Sequence, residues 1–565
     1  MTHPGRRRAI PLGLGAVMLA LSWTLGAHAE GMDPKLRAGV EALAPGEDVA
    51  VIVTLAEQVD PDAFEGGDKG QFRRELVAAL KAKAAKTQRR VMALLASRGG
   101  RGAVSLWAIN GIAVSVTAEV LHELEQLPEV SSLKLDATVD APWTAKSTAL
   151  LPEWNLLAIR APELWDLGHA GAGVVVASMD TGVDVDHLDL AGGWRGGGNS
   201  WFDPNGEHAS PHDAGGHGTQ TMGLMVGGDA GGSAIGVAPD AQWIAVKIFD
   251  DAGQATLSGI HQGFQWLLDP DGDPGTDDAP DVVNNSWGFP ETVNQCYTEF
   301  APDIELLKTV GIAVVFSAGN RGPQGSSSVS PANNPGSVAT GAVDEFLSVA
   351  DSSSRGPGAC DGSPYPELTA PGVNVLTSDL TFGGTFPDRY VSVTGTSFAA
   401  PQVSGGMALL LGAFPDATVG ELEQALESAA LDLGTSGPDD DHGFGLIDLV
   451  EAYALLSDLP PPTCTDADGD GYFASDGCGT PADCDDGDFG INPGACDIKR
   501  DGIDQDCDGV DRRRGKACPS SDGGGGSDGS AVEGKGKTCS DGIDNDGDGR
   551  VDCLDPDCSK SKGCR

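Results

Sequence analysis

The chain has 565 residues and a net charge of −47, from 83 acidic and 36 basic side chains. That length implies two to four domains, and the charge excludes nucleic acid and anionic membranes as partners. Its 81 glycines and 12 cysteines exclude a helical bundle and suit a loop-rich protein of an oxidising compartment.

Residues 1–29 read as a secretory signal, with Arg6-Arg7-Arg8, an apolar stretch over 10–25 and Ala27-His28-Ala29 before Glu30. The apolar stretch is too short and too rich in glycine for a permanent anchor. Residues 30–142 form a compact α+β unit. Strand candidates lie at 49–55, 112–117 and 130–135, in a βαβαβ-like pattern. Phe72, Leu76, Leu80, Ala84, Val91 and Leu95 recur at helical spacing. A short helix is expected over 118–126. Residues 141–152 show no period and read as a linker.

The next unit, 143–458, alternates apolar runs at 173–179, 242–249, 282–288 and 311–320 with helical segments at 257–268 and 300–309. Continuous apolar strands separated by helices define an α/β unit with a doubly wound, parallel sheet. Sites in such sheets gather at the carboxyl ends of strands, where Asp180, Ser286 and Asn320 fall. A proline-rich linker, 459–463, leads to a tail over 464–565 that holds ten of the twelve cysteines. The tail has too few apolar residues for a core and needs disulfides or metal ions.

Ser397, in Gly395-Thr396-Ser397-Phe398-Ala399-Ala400-Pro401, follows an extended run and precedes an apolar helix. At such a junction it is a nucleophile if a base lies nearby, or a simple helix N-cap if none does. The base candidate is His217, in Gly216-His217-Gly218-Thr219; His187, His208 and His212 read as surface loop residues. Asp180, in Asp180-Thr181-Gly182, is the acid candidate, with Asp184 and Asp186 as competitors. Asn320, after Ser317-Ala318-Gly319, is an oxyanion donor or a plain turn residue. The chain order is Asp, His, Ser.

These four motifs resemble the subtilase, or subtilisin-like, family of serine peptidases over about residues 150–455. Residues 282–288, 316–320 and 353–357 are most similar to the bacillopeptidase F branch. The resemblance implies that Ser397 attacks the scissile carbonyl while His217 moves the proton and Asp180 orients the imidazole. The Ser397 N–H and the Asn320 side chain would hold the oxyanion, and Ser286, Trp287 and Gly288 would pair with an extended substrate. It makes residues 30–142 a pro-domain, an intramolecular inhibitor and folding aid removed near 140–152. Two positions depart from the family pattern: Gln220 and Gln402 stand where histidines are common.

Cys296 and Cys360, alone in the catalytic unit, are expected to pair. In the tail Asp466, Asp468 and Asp470, then Asp504, Asp506 and Asp508, then Asp544, Asp546 and Asp548 each precede a glycine. Alternate carboxylates around a turn suit Ca2+. The twelfth loop places are Gly477, Gly515 and Asp555, so these are not EF-hands; they resemble MopE-type metal-binding and thrombospondin type 3 repeats. A solvated acidic tail is the alternative, and the acidic loop 269–273 is a further calcium candidate.

The expected protein is a secreted, self-processing, monomeric serine endopeptidase acting on polypeptides, with the tail as a route to the cell surface. The alternatives are an esterase on the same triad, or a non-catalytic binding protein whose tail carries the function.

Overall fold

The computed structural model describes residues 31–44, 46–64, 69–142, 145–147, 154–382, 389–457 and 491. The signal segment and nearly the whole tail, including the nine aspartates named above as candidate ligands, lie outside the described residues. Among the described residues no helix is long and apolar enough to cross a membrane.

The N-terminal module comprises β1 (Gly31–Met32), α1 (Pro34–Ala42), β2 (Asp48–Leu55), α2 (Lys69–Arg98), β3 (Arg101–Leu106), β4 (Gly111–Thr117), α3 (Ala118–Glu125) and β5 (Val130–Leu135). Its sheet runs β1-β5-β2-β4-β3. Val51, Val53 and Leu55 of β2 pack with Val91 and Leu95 of α2 and Leu121 and Leu124 of α3. The βαβαβ-like expectation lacks β3. That strand is a mostly exposed edge, so it carries no apolar alternation to read.

Two short strands follow, β6 (Thr138–Asp140) and β7 (Ala145–Ser147). The linker expected over 141–152 therefore contains paired backbone. Both strands are three residues long and take their order from the surfaces they pair with.

The larger unit contains α4 (Trp154–Ala158), α5 (Ala161–Asp166), β8 (Val175–Asp180), β9 (Trp201–Phe202), α6 (His217–Val226), β10 (Gln242–Lys247), β11 (Gln254–Thr256), α7 (Leu257–Leu268), β12 (Val282–Asn285) and α8 (Ala301–Thr309). It continues with β13 (Ala313–Ser317), β14 (Val338–Val343), β15 (Leu368–Pro371), β16 (Val375–Ser378), β17 (Tyr390–Thr394), α9 (Thr396–Ala413), α10 (Val419–Ala429) and α11 (Leu449–Ser457). Seven strands form a sheet in the order β15-β14-β13-β12-β8-β10-β9, and every neighbouring pair is parallel. The order turns back at β8, which places the end of that strand at a switch point.

Side chains alternate between two cores because successive strand residues face opposite ways. Val176, Ala313 and Val315 pack with Met222 and Met225 of α6 and Val403 and Met407 of α9. Ala177, Met179, Val314 and Phe316 pack on the other face with Phe264 of α7 and Ile304 of α8. Leu76 and Leu80 of α2 belong to that second core, so the N-terminal module seals the α7–α8 face. Cys296 and Cys360 are joined by a disulfide.

Polar groups of the module also meet the ends of those two helices. Asp136 accepts hydrogen bonds from the Ser258 N–H at 2.9 Å and the Ser258 hydroxyl at 2.6 Å, at the start of α7. The buried Arg73 donates to the Val310 carbonyl at 3.2 and 3.1 Å, at the end of α8. An acid at a helix start and a cation at a helix end both complement the helix dipole. Beside them Lys134 meets Glu299 at 3.1 Å, and Glu299 and Asp303 flank His261 at 3.3 and 2.9 Å.

Burial would lower the His261 pKa, but the Asp303 charge and the hydrogen bonds to Asp303 and Glu299 raise it to about 9. Burial would raise Glu299, but the His261 hydrogen bond and the Lys134 charge bring it down to about 2. The raised imidazole stabilises the fold fully below its ordinary pKa near 6.5 and loses that contribution as pH rises through 9. The depressed carboxylate stabilises above about 4.5 and loses its contribution as pH falls towards 2. In a Ser397→Ala background, His261→Asn is therefore expected to cost about 3 kcal/mol near pH 5.5. Melting curves across pH should show that cost shrinking as pH rises from about 6.5 to 9, and again in strong acid; a flat difference would remove the ion pair as its source.

Candidate active site

The site lies at the carboxyl ends of β8, β12 and β13 and the start of α9. β8 is buried and ends in Asp180, which is 1 % exposed. α6 begins at His217, which is 3 % exposed. His217 Nδ1 lies 2.8 Å from Asp180 Oδ1 and 3.0 Å from Oδ2. Asp180 Oδ1 also accepts the Thr181 N–H at 2.7 Å. Asp184 is engaged elsewhere, accepting the Thr381 N–H at 2.7 Å, and Asp186 is exposed. Of the acidic candidates, Asp180 is the one that meets the imidazole.

α9 starts from Gly395, whose φ of 150° lies in a region that favours glycine. A Cβ there would lie 3.4 Å from Asn320 Nδ2, an ordinary contact, so the backbone angle rather than space is what favours glycine. Gly395 is the N-cap residue and Ser397 is the second residue of the helix. The N-cap alternative for Ser397 is therefore wrong. Its hydroxyl donates to the Ser286 carbonyl at 3.2 Å, and the Ser286 hydroxyl donates back to the Ser397 carbonyl at 2.8 Å. His217 Nε2 is buried without a hydrogen-bond partner among the described residues. The Phe398 ring lies 5.5 Å from the His217 ring, between centroids. Asp180 and His217 are thus hydrogen-bonded to each other, while Ser397, the neighbour of Phe398 in the chain, rests its hydroxyl on Ser286.

Asn320 Oδ1 accepts the Thr396 N–H at 3.0 Å, and its Nδ2 makes no hydrogen bond among the described residues. Asn320, Ser397, Ser286, Trp287 and Gly288 line one cavity of about 480 Å³, together with Ser317, Arg321 and Val329. Trp287 is 2 % exposed and packs edge-on to Phe289, Phe300 and Phe316 at 6.1, 5.9 and 5.4 Å. Its ring anchors the segment in the second core and leaves the backbone of Ser286–Gly288 to face the cavity.

The N-terminal module reaches this cavity. β6 pairs antiparallel with β11, and the Ala141 N–H donates to the Gly253 carbonyl at 2.7 Å. Asp140, Ala141 and Pro142 line the cavity with Ser397. β7 pairs antiparallel with β17, the strand that runs into Ser397. Two residues, Trp143 and Thr144, separate Pro142 from Ala145 in sequence.

Sequence reasoning missed Asp213, a single acid in a loop with no motif. It is 5 % exposed and accepts five hydrogen bonds: from the Thr181 hydroxyl, the Gly215 and Gly216 N–H groups, and the Thr219 N–H and hydroxyl. It thus ties the loop after Asp180 to the first turn after His217. Lys247 is fully buried and donates to the Thr181 and Phe249 carbonyls at 3.1 and 2.8 Å. His187 is also fully buried, contrary to the surface reading, because its Nε2 meets the Arg389 carbonyl at 2.8 Å and its ring packs on Tyr390. Gln220 donates to Asp379 at 3.2 Å. Gln402 donates to the Phe398 carbonyl at 3.0 Å and accepts from Asn155 at 3.2 Å. Both glutamines are buried hydrogen-bonding groups.

Asp269, Asp271 and Asp278 bring one carboxylate oxygen each within 4.8 Å of one another. Lys81 of the module pairs with Asp269 and donates to the Gly272 carbonyl at 3.0 Å, so a cation of the protein already serves this loop.

This fold and site define a serine-type endopeptidase built on a parallel α/β sheet. Residues 171–445 match the model of the Subtilase family. The chain is 36 % identical over 429 residues to bacillopeptidase F of Bacillus subtilis (strain 168), covering 69 % of this chain and 29 % of that protein. It is 31 % identical over 362 residues to subtilisin amylosacchariticus of Bacillus subtilis subsp. amylosacchariticus, covering 64 % and 84 %. It is 34 % identical over 304 residues to subtilisin DY of Bacillus licheniformis, covering 53 % and 98 %. The chain belongs to the subtilase family.

Replacing Asp213 by alanine strands five buried or half-buried donors. We expect Asp213→Ala to lose about 3 kcal/mol of stability by urea denaturation in a Ser397→Ala background. Asp213→Asn, which keeps one acceptor oxygen, should lose less.

Proposed function

We propose that the chain is the precursor of a secreted serine endopeptidase that cuts itself between Pro142 and Ala145 and then hydrolyses polypeptides. One observation carries the reading. The chain pairs with β11 just before residues 143 and 144, and with β17 just after them. These two edges flank the cavity that holds Ser397 and Asn320. Backbone pairing on both sides of a bond is how a peptidase cleft holds an extended substrate.

In this reading Ser397 Oγ leaves the Ser286 carbonyl, gives its proton to His217 Nε2 and attacks the carbonyl carbon. Asp180 holds Nδ1 and stabilises the imidazolium. His217 returns the proton to the departing amine, and water repeats the sequence to release the acid. The Ser397 N–H and Asn320 Nδ2 stabilise the oxyanion. Ser286 and Gly288 supply the second pairing edge, while Trp287 keeps that edge in register. Residues 30–142 remain as an inhibitor for as long as β6 occupies β11. Positions 143–458 form the peptidase. The tail, 464–565, takes Ca2+ through Asp466, Asp468, Asp470, Asp504, Asp506, Asp508, Asp544, Asp546 and Asp548, which supply the hard oxygen donors that this ion favours. The mature enzyme acts as a monomer outside the cell, with the tail available for surface attachment.

Expression of the wild type beside Ser397→Ala tests the reading. The wild-type enzyme should lose its module, begin at residue 143, 144 or 145 by N-terminal sequencing, and hydrolyse casein. Ser397→Ala should keep residues from 30 onward and stay inert. Two inert full-length proteins would favour a non-catalytic binding protein. Asn320→Ala should lower kcat on a peptide substrate by about 10²–10³, the size of loss known for such a donor in a subtilisin. Chelation should remove Ca2+ from the full chain but not from one ending at residue 458.

A further inference from the structure

Beyond the catalytic groups, two imidazoles and a carboxylate converge on the loop that precedes His217. His208 and His212 lie four residues apart around Pro211, and their rings stack with centroids 3.9 Å apart. His208 Nε2 lies 2.9 Å from Asp251 Oδ2. One ring nitrogen from each histidine and a carboxylate oxygen of Asp251 all fall within 4.8 Å of one another. We propose that His208, His212 and Asp251 form a Zn2+ site with a fourth position open to water.

The donor set selects the ion class. Two imidazole nitrogens and one carboxylate oxygen suit Zn2+ in tetrahedral geometry, whereas Ca2+ takes six to eight oxygens. Ligands of a tetrahedral Zn2+ sit about 2.0–2.2 Å from the ion, hence about 3.4 Å from each other. The His208–Asp251 pair is already within that spacing. His212 is exposed, so its side chain has room to close a remaining gap of at most about 1.4 Å.

The supporting groups are in place around the ligands. Asp203 accepts the backbone N–H groups of Asn205, Glu207 and His208 at 2.9, 2.9 and 2.8 Å. Trp201 Nε1 donates to the His208 carbonyl at 3.0 Å. Glu207 accepts the Asp251 N–H at 2.8 Å. Lys247 Nζ lies 3.2 Å from Asp251 Oδ1, opposite the oxygen that faces His208 most closely. That ammonium is held by two carbonyls and fixes the carboxylate's orientation, while Glu207 and Asp203 offset its charge near an ion. Outer hydrogen bonds of this kind orient ligands for a metal.

The ion would join two segments that matter to the site. His208 and His212 lead into Asp213, which holds the first turn after His217. Asp251 belongs to the loop that presents Gly253 to the Ala141 N–H. Zn2+ would therefore clamp the catalytic-histidine loop to the substrate-pairing edge.

The test uses chelator-stripped full chain carrying Ser397→Ala, to prevent self-cleavage, titrated with Zn2+ by calorimetry. Residues 458–565 contain no histidine, so any histidine-dependent ion lies upstream of the tail. Adding His212→Ala, or separately Asp251→Asn, should remove one equivalent of bound Zn2+. The parent's Tm should rise by about 5 °C at Zn2+ a hundred times above Kd, and both variants should lose that rise. Without metal, His212→Ala should melt with the parent, since the side chain it truncates is exposed. Ca2+ should give no His212-dependent shift. Equal Zn2+ stoichiometry in all three proteins overturns the site. Loss in His212→Ala but full retention in Asp251→Asn overturns the three-donor assignment.

Discussion

The pairing of His217 Nδ1 with the Asp180 carboxylate is the constraint on which the rest of the site depends. It joins the end of a central strand to the start of a helix, and both residues are almost wholly buried. A carboxylate in that position is costly unless its oxygens are satisfied. Asp180 meets this with the imidazole and the Thr181 N–H, and Asp213 and Lys247 hold Thr181 from its other atoms. The geometry of one hydrogen-bonded pair thus reaches through β8, the loop after it, the 203–213 loop and the turn after β10. Ser397 enters from a different direction, on a helix whose first turn is set by Gly395 and Asn320.

The N-terminal module is fitted to the same framework by matching charges to helix ends. Asp136 at the start of α7 and Arg73 at the end of α8 would be ordinary surface residues if the module stood alone. Against the larger unit they become buried or half-buried hydrogen-bonding groups. Lys134 then joins a group of two acids and one imidazole that would otherwise carry an excess of negative charge. Apolar packing between α2 and the α7–α8 face supplies area, while these polar contacts set where the module can sit.

Much of this was legible in the sequence, for physical reasons that differ by element. β8, β10, β12 and β13 are buried on both faces and so appear as unbroken apolar runs. The long helix α2 shows its period because one face is buried along most of its length. β3 is exposed, and β6 and β7 are three residues each, so none has a pattern of its own. Their order comes from partners distant in sequence. Asp180, His217, Asn320 and Ser397 stood out because glycine and small residues surround them, as close backbone approach demands. Asp213 and Lys247 serve the same site as isolated residues whose hydrogen bonds no spacing announces. His187 was misread for a related reason: burial of a lone polar residue depends on a carbonyl two hundred positions away.

The pairing of β7 with β17 has a kinetic meaning. A bond cut between Pro142 and Ala145 leaves both new ends held, one on β11 and the other on the strand leading to Ser397. The freed amine would then stay beside the acyl group at a high effective concentration, so resealing would compete with hydrolysis. Under the proposed self-cleavage, cutting would become irreversible only when β7 peels from β17. The commitment step of maturation would then be the loss of a three-residue strand pairing rather than the breaking of a covalent bond.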